Sequence, residues 1–152
     1  MTVAIDRVRT SDVPAIVAIE RAAFSDPWSA RSFRDAIELD AVYFACARSD
    51  GDDPVGYVVA WFAADEGEIA NLAVAPEGWG RGIGRALLDA ALGEGLRRGT
   101  AGMYLEVRET NERARGLYRS RGFEEIGRRR RYYRRPVEDA IVLRRTLTGQ
   151  GV

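Results

Sequence analysis

Gly78-Trp79-Gly80-Arg81-Gly82-Ile83-Gly84-Arg85-Ala86-Leu87-Leu88 follows directly on the apolar run Ile69-Ala70-Asn71-Leu72-Ala73-Val74. Four alternating glycines let the backbone turn sharply and bring several N–H groups close to a ligand, and a helix beginning at about Ile83 adds the positive end of its dipole. The stretch therefore predicts a strand, a glycine turn and a helix N-terminus that together cradle an anion such as a pyrophosphate. Two commoner phosphate motifs are excluded by position. A dinucleotide fingerprint, Gly-x-Gly-x-x-Gly, would place its last glycine where Ile83, Arg85 or Leu87 stands. A Walker loop ends in Gly-Lys-Ser/Thr, and the chain has no lysine. On spacing alone, a loop that needs glycine only for its turns stays open beside the anion cradle.

Outward from this turn, periodicity predicts the other elements. A strand over Val3 to Val8 leads into Thr10-Ser11-Asp12-Val13-Pro14, a helix start with capping side chains and an early proline. Ile16, Ile19, Ala23 and Phe24 then recur at helical spacing. After the turn Ser25-Asp26-Pro27-Trp28-Ser29, Ser29 caps a second helix to about Leu39, with Phe33, Ala36 and Ile37 on its apolar face. Val42–Arg48 and Val55–Ala63 read as a hairpin across Ser49–Pro54, and Glu68–Val74 as the strand entering the glycine turn. The helix after the turn carries Ile83, Ala86, Leu87, Ala90 and Ala91 on one stripe and stops at Arg97-Arg98-Gly99. Met103–Val107 is a fifth strand, and Asn111 caps a helix with Ala114, Leu117 and Tyr118 on one face, ending at Arg121-Gly122. Phe123–Gly127 and Ala140–Leu143 anchor two last strands, with an arginine-rich hairpin between them. The order β-α-α-β-β-β-α-β-α-β-β predicts an α/β (α+β) fold, a layered mixed sheet of about seven strands flanked by about four helices.

At 152 residues, 46% hydrophobic and 30% charged, the chain is expected to form one domain over residues 1–152. Its 23 basic residues, all arginine, balance 23 acidic ones, so no global attraction to nucleic acid or anionic membrane is indicated. Without lysine or histidine there is no His base, no Ser-His pair, no Schiff-base lysine and no His-ligated zinc, which leaves acid–base chemistry to carboxylates, tyrosine or Cys46. The single cysteine lies in the apolar run Val42–Ala47 and reads as a packing thiol. Met1–Arg7 resembles neither a signal nor a transit peptide, and no apolar stretch approaches the ~20 residues of a membrane span, so a cytoplasmic setting is expected.

Three groups stand out as chemical candidates. Glu106, on a strand, shares a face with Tyr104 and Arg108, opposite Met103, Leu105 and Val107. It is either a surface glutamate paired with Arg108 or a carboxylate held in a cleft. Tyr118 is a protonated phenol at neutral pH and can serve as a core aromatic or as a proton donor. Arg128-Arg129-Arg130-Arg131-Tyr132-Tyr133-Arg134-Arg135 can bind phosphates and stack on bases, but acids such as Glu124, Glu125, Glu138 and Asp139 favour a solvated hairpin.

Fold order, glycine turn and flanking sequence together resemble the GCN5-related N-acetyltransferases, and within them the RimI type. The resemblance runs through Phe24–Ser29, Asn71–Val74, Arg81–Leu88, Leu105-Glu106-Val107-Arg108, Asn111, Leu117-Tyr118, Gly122-Phe123, Tyr132-Tyr133 and Glu138-Asp139-Ala140-Ile141. It implies acetyl-CoA as co-substrate and no metal. Leu72, Ala73 and Val74 would meet the pantetheine arm as an added strand; Gly80, Arg81, Gly82, Ile83, Gly84 and Arg85 would hold the pyrophosphate, and Asn111 would reach the pantetheine. Trp79 departs from the family, which usually has Gln or Arg there, and puts side-chain help at that corner in question. The resemblance makes Glu106 the base, with Glu68 its rival, and Tyr118 the acid that meets the CoA thiolate. Trp28, Glu106, Tyr132 and Tyr133 would contact the acceptor. The implied acceptor is the N-terminal alanine of small-subunit ribosomal protein eighteen, with another protein N-terminus, a lysine or a small amine as alternatives, or a non-catalytic acyl-CoA- or RNA-binding module. No stable nucleic-acid partner, no membrane, and a monomer or weak dimer are expected.

Overall fold

A computed structural model describes residues 3–50 and 53–147. Seven strands form one sheet in the order β1-β2-β3-β4-β5-β7-β6. They are β1 (Ala4–Arg7), β2 (Val42–Arg48), β3 (Pro54–Ala63), β4 (Glu66–Val74), β5 (Gly102–Arg108), β6 (Glu124–Tyr133) and β7 (Glu138–Thr146). All neighbours pair antiparallel except β4 and β5, which run parallel. Four α-helices complete the fold: α1 (Val13–Ala23), α2 (Ala30–Ile37), α3 (Ile83–Arg97) and α4 (Glu112–Ser120). Part of the turn expected over 49–54 lies outside the described residues.

The sheet is covered on both faces, which is why β2 is buried along its whole length. On one face Ile16, Val17 and Ile19 of α1 and Phe33 and Ala36 of α2 pack on Phe44, Cys46, Tyr57, Val59 and Ala73. On the other, Ile83, Leu87, Leu88 and Ala91 of α3 pack on Ala45, Val58, Ala60, Ile69, Met103 and Leu105, with Ala114 and Leu117 of α4 at the margin. Cys46 is fully buried and desolvation pushes its thiol up to about 11, so it packs rather than reacts. No helix among the described residues is long and apolar enough to cross a membrane.

Two irregularities open the sheet where chemistry can enter. β3 and β4 keep register from Gly56↔Val74 to Val59↔Asn71, then resume at Ala60↔Ile69, so Ala70 is an extra residue that bulges β4. β4 and β5 pair only from Glu66↔Gly102 to Ile69↔Leu105. Beyond the bulge the two parallel strands part, and residues 70–74 have no β5 partner. β6 departs from expectation. It runs through the arginines to Tyr133, because β7 pairs with it as far as Tyr133↔Glu138. Between Arg129↔Ala140 and that last pair, β6 has more residues than β7, and Arg131 takes a positive φ of 51° held by its N–H on Asp139 Oδ1 at 2.9 Å.

Candidate active site

The glycine turn starts with a short 3-10 segment over Pro76–Gly78. Gly80 and Gly82 have φ of 76° and 77°, a conformation that a side chain disfavours, and this brings α3 to its start with the N–H groups of its first turn unpaired by the helix. No acidic residue sits in that first turn. The dipole end is therefore left available to an anion, and the residues fit a pyrophosphate. Trp79 folds back: its Nε1 donates to Val74 O at 2.9 Å, and the Arg113 guanidinium lies 4.2 Å over its ring. An extended ligand along β4 thus meets an indole at the Val74 end, while Leu72 and Ala73 lie on the unpaired length. Asn111 caps α4 through Oδ1, which accepts Ala114 N–H at 3.1 Å, so its carbonyl is committed and its amide NH2 is the group left to meet a ligand.

On the α1/α2 face, beside the parting, a group of carboxylates and phenols gathers. Glu106 is nearly buried, its side chain 12% exposed. Arg108 is not its partner. Arg129 instead lies in ion-pair contact with Glu106 Oε2, out of hydrogen-bond alignment, and that oxygen is sealed from solvent. The Tyr132 hydroxyl also lies beside this carboxylate, set there by the irregular β6. Glu68 stands opposite Tyr104 in register and shares a hydrogen bond with it. Burial, then the Glu106 charge, raise the Glu68 carboxyl above its ordinary value. Both glutamates considered as bases are therefore in one cluster.

Tyr118 is buried against Phe123, ring centroids 5.7 Å apart. Burial and then the nearby Tyr133 push its hydroxyl well above the usual tyrosine value. Tyr133, whose ring lies under the Arg108 guanidinium, is itself raised by burial and then by the Glu106 charge.

Two residues whose importance the sequence did not reveal hold the walls. Arg108 donates to Pro136 O at 3.0 Å, Arg134 O at 2.9 Å, Glu138 Oε1 at 3.1 Å and Ser25 Oγ at 3.2 Å, and stacks 4.4 Å from the Tyr133 ring. It fastens the β6–β7 hairpin to the Ser25–Ser29 turn. Glu20 is 1% exposed and accepts Trp28 N–H at 2.9 Å, Asn71 Nδ2 at 2.9 and 3.0 Å, and the Tyr57 hydroxyl. It joins the same turn to the bulge of β4. The available signal was a carboxylate on the apolar stripe of α1, one turn after Ile16.

The basic stretch is partly neutralised: Arg128 pairs with the expected Asp139 at 2.8 Å and also with Glu109 at 2.7 Å, and Arg129 pairs with Glu106.

The profile of the Acetyltransferase (GNAT) family matches residues 13–123. The [ribosomal protein bS18]-alanine N-acetyltransferase of Escherichia coli K12 is 36% identical over 143 residues, covering 91% of this chain and 94% of the relative. The N-alpha-acetyltransferase RimI of Mycobacterium tuberculosis is 37% identical over 149 residues, 94% of this chain and 92% of the relative. The crystal structure of the E. coli ribosomal-protein-S18-alanine N-acetyltransferase superposes with a TM-score of 0.88 at 32% identity, over 99% of both chains. A NatC complex structure, bound to a Gag peptide and CoA, gives 0.85 at 26% identity over 97% of this chain and 100% of that one. A parted parallel strand pair, a glycine turn at a helix start and this likeness along nearly the whole length lead to one conclusion: the chain belongs to the Acetyltransferase (GNAT) family.

Proposed function

We propose that this chain transfers the acetyl group of acetyl-CoA to the α-amine of a protein N-terminus, with the N-terminal alanine of ribosomal protein bS18 as preferred acceptor and the cytoplasm as setting. The observation that carries this reading is the juxtaposition at the parted β4 and β5. A nearly buried carboxylate on β5 stands where the β4–β5 pairing ends, Tyr118 is a buried phenol on α4, and the glycine cradle lies at the far end of β4.

Acetyl-CoA supplies an activated thioester, and the chain's own residues hold it and move protons. N–H groups from Gly80 to Arg85 bind the pyrophosphate, and the free edge at Leu72 and Ala73 aligns the pantetheine arm. Trp28, Tyr132 and Tyr133 confine the acceptor. Glu106 takes the ammonium proton, freeing the amine lone pair that forms the new C–N bond as the C–S bond breaks. Tyr118 gives its proton to the departing sulfur, and the second amine proton, released as the amide forms, restores the phenol through solvent. Transfer is direct, within a ternary complex. An α-amine asks little of such a base: with a pKa near ~7.8 it is about one-tenth neutral at pH 7, against less than about one part in a thousand for a lysine near ~10.4.

Thiol release from acetyl-CoA, followed with a bS18 N-terminal peptide, the same peptide N-blocked and a polyamine, tests the reading. Turnover on the free peptide alone is expected. CoA binding without turnover on any acceptor would instead favour a non-catalytic module.

A further inference from the structure

Beside the Ser25–Ser29 turn lies a groove of about 280 Å³ lined by Trp28, Ser32, Asp35, Ala36, Leu39 and Trp61. The indoles of Trp28 and Trp61 lie 6.2 Å apart, tilted by 53°, and Trp61 and Leu39 are left 37% and 49% exposed. Large apolar side chains gathered around an open trough point to an occupant. The register connects this trough to the carboxylate cluster. Trp61 stands opposite Glu68, and Glu68 opposite Tyr104. Residues directly opposite one another share a face of the sheet, as do Tyr104 and Glu106 two residues apart. Trp61, Glu68, Tyr104 and Glu106 therefore lie on one face of the sheet.

We infer that this trough is a specificity subsite that takes one large apolar side chain of the acceptor polypeptide, a few residues beyond the acetylated amine. The inference rests on the acetyltransferase reading above. Two strand spacings of ~4.8 Å and two residues along β5 put Trp61 about 12 Å from Glu106. An extended chain covers that in about three to four residues, so the third or fourth acceptor residue reaches the indoles. Trp28 ties the two places together, since its backbone N–H is fixed on Glu20 while its ring forms a groove wall. A second copy of the chain is a poor occupant, because a trough lined by Trp28, Ser32, Asp35, Ala36, Leu39 and Trp61 falls far short of the ~20–30 residues a side that a stable protein interface uses.

The test uses alanine-initiated hexapeptides, otherwise serine, with a single phenylalanine moved from position two to five. Phenylalanine at position three or four is expected to lower KM about tenfold relative to the all-serine peptide, with kcat little changed, since the contact is equally good in ground and transition states. In Leu39→Glu the preference should fall below about twofold; Leu39 is exposed enough for the fold to accept the change. Indole N–H NMR signals give a second readout without turnover or a variant. Trp28 and Trp61 shift with the favoured peptide, and Trp79, at the cradle, does not. Turnover with equal KM for every placement and unmoved indoles would overturn the subsite and leave the activity standing. Shifted Trp28 and Trp61 without acetylated product would support the subsite and overturn the activity, and neither response would overturn both. A Trp61 signal that moves with protein concentration alone would show a second copy in the groove and also overturn the subsite.

Discussion

Glu106 is a carboxylate kept near-dry by Arg129, Tyr132 and Tyr133, and Tyr118 a phenol whose surroundings make its proton hard to lose. A base is needed only while the amine is charged. Glu106→Gln is therefore expected to lower kcat/KM by about five- to tenfold at pH 7, with the deficit shrinking as pH rises through ~8, where an α-amine loses its own proton. A pH profile of wild type and variant in parallel checks this, and a deficit constant to pH 9 would count against Glu106 as the base. The rival has its own signature. Glu68 is raised by burial and by the charge of Glu106, so removing that charge should let its carboxyl titrate lower in Glu106→Gln than in wild type. Carbon-13 NMR of the Glu68 carboxyl reads this directly. Tyr118→Phe keeps the packing against Phe123 and deletes only the proton donor. It is expected to lower kcat about 100-fold with acetyl-CoA KM within about twofold, and turnover within a factor of two would remove Tyr118 from the mechanism.

At the scale of elements, the glycine turn was legible because its demand is local: the backbone must go left-handed at Gly80 and Gly82, and sequence records that as glycine. The strands with alternating or apolar patterns were placed within a residue or two for the same reason. What escaped was set by a distant partner. The bulge at Ala70 exists only relative to β3, and an exposed arginine run has no periodicity to mark it as strand until β7 pairs with it. Glu20 read as one acid among many, because Trp28, Tyr57 and Asn71 converge on it only in space. The turn's local demand also supports a prediction. A Cβ at Gly82 would meet nothing within 4 Å, so Gly82→Ala suffers conformational strain and no clash. About 1–2 kcal/mol of stability should be lost, a Tm drop of ~2–4 °C per kcal/mol. Acetyl-CoA KM should rise while acceptor KM holds, because only the cradle N–H groups are redirected. Steady-state kinetics against each substrate separates this from a general loosening of the site.

For the whole molecule, the edge strand β1 is only four residues long, and its anchor is electrostatic. Arg48 on β2 is 6% exposed, gives Asp12 two hydrogen bonds of 2.7 and 2.6 Å, and reaches Asp6 of β1 at 3.1 Å. One guanidinium thus fixes β1, β2 and the turn that starts α1, and α1 in turn carries Glu20 and holds the acceptor wall. The Arg48 hydrogen bonds lower the Asp12 carboxyl below its ordinary 3.8, against the opposing pull of burial. A folded carboxyl that binds its proton less tightly than the unfolded one stabilises the fold above the unfolded value, and that contribution is lost as pH falls through the folded value. Unfolding should therefore take up a proton in the window below about pH 4, and denaturant midpoints should decline there. Asp12→Asn leaves Arg48 buried with Asp6 as its remaining described carboxylate partner. It should lower stability at pH 7 by about 3 kcal/mol and flatten the decline below pH 4. Urea titrations of both proteins from pH 3 to 7 measure slope and offset together; a variant that keeps the wild-type acid slope would show that other carboxylates, not this anchor, set the acid limit of the fold.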